Sequence, residues 1–304
     1  MANGQDRDTD SVGQHNETFP KLTAMILVGC GTALMWAYWT TFAQLAARWG
    51  ADPQYSHGYL VPLFATVLLW LRRSELPADQ LATNWWGLLL LLIGVGLRIA
   101  GAYYYIDWFD AISIVPVIGG ICLLVGGLSF FAWAVPAVIF LFFMVPLPFR
   151  LETALQYPLR RIGTMSSVYL MQTIGLPVLG EGNVIVMGET RIGVAEACSG
   201  IRMLMIFFAL TTAVALVSPR LLWERILIIM SAIPIALFTN VIRITATGSL
   251  YYMDQSELAN LVFHDLAGWL MMPFALLLLW IELWLLSRII IIEDGRPVTI
   301  ALDR

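Results

Sequence analysis

Apolar stretches separated by short polar segments recur along most of the chain. A bilayer hydrocarbon core about 30 Å thick needs about 20 apolar residues in a helix to cross it. Eight stretches approach or exceed this length, although the second is short and the fourth and fifth are only a few residues apart. They cover residues 22–46, 58–71, 86–104, 111–128, 130–147, 200–217, 226–248 and 266–290. The pattern predicts an all-α polytopic membrane protein with about eight transmembrane helices.

The connection between the fifth and sixth stretches follows a different pattern. From Leu151 to Tyr169, apolar residues recur every three or four positions opposite polar ones. This spacing predicts an amphipathic helix in the extracytoplasmic membrane interface, kinked at Pro158. Two short β-branched runs follow, at residues 183–187 and 191–195, around a Gly-Glu-Thr turn. They predict a β-hairpin, which we expect outside the hydrocarbon because an open sheet edge cannot face lipid.

Polar tails flank this membrane region. Residues 1–21 contain several acids, and the long apolar stretch that follows has no obvious small-residue cleavage site, so we expect a retained tail rather than a signal peptide. Residues 22–290 then form one integral membrane domain, and residues 291–304 form a second tail. With the first tail inside, the inner flanks carry nine Lys and Arg residues and the outer flanks five. Because basic flanks stay cytoplasmic, both termini are predicted to be cytoplasmic.

Composition excludes two broad classes of protein. The chain is 59 % hydrophobic and only 12 % charged over its 304 residues, which rules out an ordinary soluble domain. Its 17 Lys and Arg residues form no block, so the basic patch typical of nucleic-acid-binding proteins is missing. The three cysteines are far apart and odd in number, which supports neither a disulfide framework nor a CxxC metal site. We therefore expect a protein that works in the bilayer without nucleic acid, metal or cofactor.

The first residues with candidate chemistry follow the hairpin, in the stretch VAEACSGIRML. Cys198 stands at the start of the sixth span, where free backbone N–H groups and the positive end of the helix dipole favour a thiolate. Arg202 lies one turn further on the same face, and Glu196 lies just before the cysteine. A lone membrane cysteine is usually a small buried hydrophobe, which is how we interpret Cys30 and Cys122. For Cys198 that interpretation and a nucleophilic role both remain open.

Two further polar groups belong to the last two spans. Asn240 and Arg243 are three residues apart and share one face of the seventh span. An ionisable residue at that depth should face the bundle interior or water, although Arg243 could equally extend its guanidinium to the outer headgroups. His264 and Asp265 stand at the start of the eighth span. A single histidine in the interface is more often structural than catalytic.

Tyr55 and His57 lie in a third polar cluster, YSHGYLVP, at the start of the second span. An ordinary helix start with aromatic residues at headgroup level explains this cluster as well. On the topology inferred from the basic residues, however, His57 shares the extracytoplasmic end of the bundle with Cys198, Arg243 and His264. A thiol, a guanidinium and an imidazole in one layer indicate the chemistry of acyl transfer.

Taken together, these motifs resemble the exosortases and their archaeal relatives, the archaeosortases. The resemblance rests on ACSGIR around Cys198, NxxR at Asn240, HDxxG at His264 and YSHG at Tyr55, in that family's order, and covers residues 22–290. It implies a bacterial inner-membrane cysteine endopeptidase or transpeptidase linked to envelope or exopolysaccharide biology. Its substrates would be membrane-anchored proteins with a C-terminal signal made of a Pro-Glu-Pro-type motif, a transmembrane helix and a basic cluster.

The resemblance also assigns roles to individual residues. It implies Cys198 as nucleophile, Arg243 as anion stabiliser and His264 as general acid and base, although archaeal members have arginine where this chain has His264. In such a mechanism the thiolate attacks a carbonyl, the guanidinium stabilises the oxyanion and the imidazole protonates the leaving amine. The candidate supporting or substrate-binding residues are Tyr55, His57, Glu196, Arg202, Asn240 and Asp265.

Two other classes of protein would share the polytopic pattern. A transporter should carry charged or broken segments near the midplane of several spans, usually in repeated halves, and the sequence shows no such repeat. A structural subunit of an exopolysaccharide export complex would explain the apolar composition. Such a subunit would not need a cysteine, an arginine and a histidine on one side.

Overall fold

A computed structural model describes residues 24–52, 54–77, 81–193, 200–218, 220–261 and 267–289, and helices dominate these ranges. The chain divides into two compact units. The first contains Met1–Arg160 and Ser199–Arg220, and the second contains Arg161–Cys198 and Leu221–Arg304. The predicted helical membrane fold is therefore confirmed in its class.

The elements follow in chain order. The helices are α1 (Ala24–Ala37), α2 (Trp39–Ala51), α3 (Leu60–Leu71), α4 (Trp86–Tyr104), α5 (Asp107–Phe140), α6 (Phe149–Thr173), α7 (Gly200–Val217), α8 (Leu222–Tyr252), α9 (Ser256–Leu261) and α10 (Ala267–Ile289). Short 3₁₀ helices cover Ser56–Tyr59, Arg73–Glu75 and Leu141–Met144. The strands are β1 (Leu179–Glu181), β2 (Val184–Met187) and β3 (Thr190–Gly193).

Several helices have the length and composition of membrane spans. Within the described residues, three pass this test: Trp86–Tyr104, Asp107–Met144 and Leu222–Tyr252. The number of candidate spans rises to four if the bent pair of α1 and α2 forms one span. Ser56–Leu71 and Ile201–Val217 are shorter apolar helices. The predicted stretches 86–104 and 200–217 coincide with α4 and α7. The count of eight spans remains a prediction.

The stretch predicted as the first span is bent by 67° between α1 and α2. A polar cluster from α4 and α5 lies at this bend. Arg98 of α4 donates from Nη2 to the Ala37 carbonyl at 2.7 Å, and its guanidinium lies 4.1 Å from the ring centre of Tyr38. Asp110 of α5 accepts a hydrogen bond from Thr41 and faces the Arg98 Nε at 3.5 Å. The bend therefore has specific polar partners in the first unit.

The fourth predicted span and much of the fifth fall within α5. This helix nevertheless contains a sharp reversal of chain direction. Gly127 has φ 77° and ψ −172°, a conformation that residues with a side chain rarely adopt. Val138 packs against Val115 although 23 positions separate them in the sequence, a distance of about 35 Å in a straight helix. The second arm therefore folds back on the first, and the predicted boundary at residue 129 moves to Gly127.

Close helix packing in the first unit depends on three glycines of α4. Gly87, Gly94 and Gly101 are buried at a spacing of seven residues and face α5. A Cβ atom at Gly87 would lie 2.7 Å from the Gly120 carbonyl oxygen, and one at Gly94 would lie 3.1 Å from the Ser113 carbonyl oxygen. Membrane helices associate through such small residues because the lipid offers no hydrophobic drive between them.

Helix α6 extends the predicted amphipathic helix at both ends and continues through Pro158. Its predicted apolar face is exposed, with Leu151 53 % and Met165 60 % accessible. The polar residues Glu152 and Gln156 are half-buried against the protein. This arrangement is the reverse of a helix on a water-soluble protein, and it supports a position against lipid.

The predicted hairpin is present as β2 and β3, joined by a two-residue turn at Gly188 and Glu189. Gly188 has a φ of 56°, which a two-residue turn requires at its first position. A third strand, β1, pairs antiparallel with β2 and was missed in the sequence because Leu-Gly-Glu shows no alternation. Residues 194 and 195, predicted as the end of the hairpin, lie outside the described residues.

Candidate active site

The predicted site residues fall into three sets. Cys198, Glu196, His264 and Asp265 lie outside the described residues, so their roles stay predictions. Asn240 and Arg243 belong to the second unit, and Tyr55, His57 and Arg202 belong to the first.

Arg243 lies in α8 with only 8 % of its surface exposed. Its Nη2 donates to the Asn240 Oδ1 at 2.7 Å, while its Nε is buried without a hydrogen-bond partner among the described residues. Among the residues that the structure describes, no carboxylate lies within ion-pair distance of this guanidinium. An arginine that extended to the headgroups would be exposed, so burial favours the interpretation that Arg243 faces the interior.

Asn240 holds Arg243 in this position. The amide is 2 % exposed, and because its Oδ1 accepts from Arg243, its Nδ2 is left to donate elsewhere. Helix α6 comes close here, since a Cβ atom at Gly163 would lie 3.4 Å from that Nδ2. Ser167 of α6 donates to the Val241 carbonyl at 3.4 Å. The α6 and α8 packing within the second unit thus fixes the pair that the sequence placed on one helix face.

A buried cation with a single neutral acceptor is an unusual arrangement. Desolvation penalises such a charge by several kcal/mol unless an opposite charge approaches it. The guanidinium retains unsatisfied donor capacity at Nε. This part of the site is therefore suited to stabilise a negative charge that appears during a reaction.

Tyr55 lies at the start of the turn before α3 and is 2 % exposed. Its hydroxyl donates to Glu152 Oε2 at 3.1 Å, and Gln54 Nε2 donates to Glu152 Oε1 at 3.1 Å. Burial, together with the negative charge of Glu152, raises the pKa of Tyr55 to about 12. Tyr55 is therefore a permanently protonated donor at neutral pH.

His57 is buried in the same turn, with 9 % of its surface exposed. Neither ring nitrogen makes a well-formed hydrogen bond within the described residues. Burial lowers the pKa of His57 below 6.5, and the nearby backbone carbonyls of Gln54 and Phe143 oppose this shift only in part. The imidazole is therefore neutral at pH 7.

The aromatic residues around this turn fix its position. Trp49 of α2 donates from Nε1 to the Met144 carbonyl at 2.9 Å, and its ring meets the edge of Tyr59 at 5.1 Å. A Cβ atom at Gly58 would overlap the indole of Trp49. The YSHG turn can pack this closely only because a glycine follows His57.

Arg202 occupies the first turns of α7 and is half-buried. Its Nε is buried without a hydrogen-bond partner among the described residues. No other described contact assigns it a role. Across the described ranges, no group of three or more His, Cys, Asp or Glu residues has the geometry of a metal site.

Sequence reasoning missed two acidic residues. Glu152 was placed only on the polar face of α6, but it anchors the turn around Tyr55 from about a hundred residues away. Glu224 is 0 % exposed in the first turn of α8, toward the opposite helix end from Arg243. Glu224 resembled an ordinary flanking charge because Arg225 follows it.

A family model described as transmembrane exosortase matches residues 49–281. This range includes every candidate site residue in both units. Neither a curated protein nor a solved structure matches the chain.

Proposed function

Because the chain belongs to the transmembrane exosortase family, we propose that it is a membrane cysteine endopeptidase or transpeptidase acting on C-terminal sorting signals of exported proteins. The family and the candidate spans make it a membrane protein. The finer assignment places it in the bacterial inner membrane, with both termini cytoplasmic and the site on the extracytoplasmic side. The nine-to-five distribution of basic flanks and the outward apolar face of α6 support this placement.

The observation that carries the proposal is the buried Arg243 guanidinium. It has one neutral acceptor and no carboxylate partner among the described residues, so this part of the protein leaves its charge largely uncompensated. A tetrahedral oxyanion would supply the missing negative charge only during the reaction. Stabilisation of this kind by one positioned donor contributes about 3 to 4 kcal/mol in comparable enzymes.

The reaction then proceeds in two halves. The Cys198 thiolate forms a bond to the carbonyl carbon of the scissile amide, and the carbonyl electrons move to the oxygen beside Arg243. When the oxyanion collapses, the carbon–nitrogen bond breaks, and the leaving amine takes a proton from His264. The resulting thioester is attacked by an amine, a hydroxyl or water, which returns its proton to His264 and releases the thiolate.

The proposal is tested by coexpressing the protein with a candidate substrate that carries a C-terminal Pro-Glu-Pro-type signal from the same genome. Mass spectrometry of the substrate's new C-terminus reports cleavage. Cys198→Ala should abolish processing, whereas Cys122→Ala should leave it nearly intact because Cys122 is half-buried among apolar residues of α5. Normal processing by Cys198→Ala at equal expression would disprove the nucleophile.

A second experiment distinguishes the proposed role of Arg243 from that of His264. His264→Ala should still form some thioester, since a helix N-terminus and Arg243 support part of the thiolate. A substrate fragment attached to Cys198 should therefore be detectable in the His264 variant. It should be absent from Arg243→Ala, and its accumulation there would remove Arg243 from the chemical step.

A further inference from the structure

Helix α8 carries a row of polar side chains on either side of Arg243. Thr239, Arg243 and Thr247 follow at intervals of four residues, so they lie nearly above one another on one face. Thr239 is 0 % exposed and Thr247 is 3 % exposed. Neither hydroxyl has a hydrogen-bond partner in the part of the chain that the structure describes.

Several other helical threonines behave differently, although Thr212 and Thr245 also lack a partner among the described residues. Thr211, for example, turns its hydroxyl back to the Phe207 carbonyl, four residues earlier, at 2.8 Å. The same bond is made by Thr32, Thr66, Thr153 and Thr173. A buried hydroxyl without such a bond costs about 1 to 3 kcal/mol. The row therefore holds two hydroxyls in a costly orientation, beside an arginine whose Nε is also unsatisfied.

The row also lies away from the faces on which α8 contacts α6 and α10 among the described residues. Ile244 and Gly248 face Met171 of α6, and Phe238 packs against Phe274 of α10. At about 100° per residue, the row falls on the remaining side of the helix. The described helix contacts of the second unit therefore give these polar atoms no partner.

The spacing of the row matches a peptide backbone. Residues four apart in a helix are separated by about 6 Å along its axis. In an extended peptide, alternate residues direct their carbonyls to the same side about 6.7 Å apart. Three donors in this row can therefore meet three alternate carbonyls of one extended segment.

We propose that Thr239, Arg243 and Thr247 bind the backbone oxygens of an extended substrate peptide, with Arg243 at the scissile carbonyl. This inference rests on the proposed function and deepens it. Thr247 lies toward the proposed extracytoplasmic end of α8, so it binds the carbonyl two residues before the scissile bond. Thr239 lies one turn deeper and binds the carbonyl two residues after it, on the fragment that leaves.

The test uses valine, which replaces the hydroxyl with a methyl group of similar size. Thr239→Val and Thr247→Val should each lower kcat/KM for processing about tenfold, the effect of one hydrogen bond of about 1.4 kcal/mol. Thr247→Val should also slow breakdown of the thioester, whereas Thr239→Val should slow only its formation. The serine variants keep the hydroxyl and should retain most of the activity.

Thr245→Val is the matched control. Thr245 lies on the same helix, is 8 % exposed and also has an unpartnered hydroxyl, but it lies about 200° around the helix from Arg243. Its variant should process substrate within twofold of wild type. The melting temperature of the full-length protein in detergent gives a second readout. Losing an unsatisfied hydroxyl should leave the melting temperature of both row variants unchanged or raised.

The outcomes separate this inference from the proposed function. If wild type processes substrate and both valine variants process it equally well, peptide binding by the row is disproved and the proposed function is unaffected. An equal loss of kcat/KM in Thr245→Val would also disprove peptide binding by the row. So would a loss of kcat/KM in a row variant whose melting temperature is lowered. No processing by wild type would overturn the function and the row together.

Discussion

Replacing Arg98 with methionine should destabilise the first unit by about 3 kcal/mol. Methionine keeps an apolar stem of similar length but removes the guanidinium. That group donates to the Ala37 carbonyl at 2.7 Å, lies over the Tyr38 ring and pairs with Asp110 at 3.5 Å. All three contacts lie at the bend between α1 and α2.

The magnitude follows from these contacts taken separately. A hydrogen bond from a charged donor is worth about 1.5 to 3 kcal/mol, and a partly exposed cation–π contact about 0.5 to 1 kcal/mol. The Arg98 and Asp110 side chains are 33 % and 24 % exposed. Solvent therefore screens their ion pair, which adds less than about 1 kcal/mol. The hydrogen bond to the backbone at the bend provides most of the effect.

Thermal unfolding of the purified protein in detergent checks this value. A loss of about 3 kcal/mol corresponds to a shift of roughly 5 to 10 °C for a unit of this size. Arg150→Met is the control, because Arg150 is an exposed arginine at the start of α6. Equal melting temperatures for the Arg98 and Arg150 variants would refute the reasoning. Strictly additive effects of Arg98→Met and Asp110→Asn would show only that the ion pair contributes nothing, since two interacting partners should be coupled.

Three further predictions concern the candidate site and its orientation. Arg243→Lys should lose about a hundredfold in kcat/KM despite keeping its charge, since an ammonium cannot reproduce the planar donors; near-normal turnover would remove Arg243 from the site. Because the pKa of His57 is lowered from 6.5, the unfolded chain binds a proton that the folded chain resists. Stability should therefore fall as pH drops below 6.5, and His57→Gln should flatten this dependence in melting curves. Glu189→Cys, in the exposed hairpin turn, should react with an impermeant reagent added outside, and labelling only after the cytoplasmic face is opened would place the site on the wrong side.

The sequence predicted those parts of the fold that depend on local composition. Residues 86–104 and 200–217 became α4 and α7 because long apolar runs end there at polar or turn-forming residues. The Gly188 turn and its flanking β-branched runs became β2 and β3 for a similar reason. The break at Gly127 was predicted within two residues, but the packing of Val138 against Val115 joins positions far apart in the chain, so no local pattern reveals it.

The same difference between local and long-range contacts applies to the candidate site. Asn240 and Arg243 were placed on one face by helical spacing, and the hydrogen bond between their side chains confirms that placement. The link from Glu152 to Gln54 and Tyr55 could not be predicted, since it joins residues about a hundred positions apart. Cys198 and His264 remain predictions from the motif.

The reversal at Gly127 also constrains how the chain enters the bilayer during synthesis. No Lys, Arg, Asp or Glu occurs in the sequence between Asp110 and Arg150. Because charged flanks orient successive segments at the translocation machinery, neither arm of α5 has an orientation signal at the reversal. The orientation of both arms is therefore set by charges at their far ends, and we expect the two arms to partition into lipid as a pair. A side chain at residue 127 would overlap the Ala82 carbonyl, so its cost would appear as failed insertion and degradation of the nascent protein.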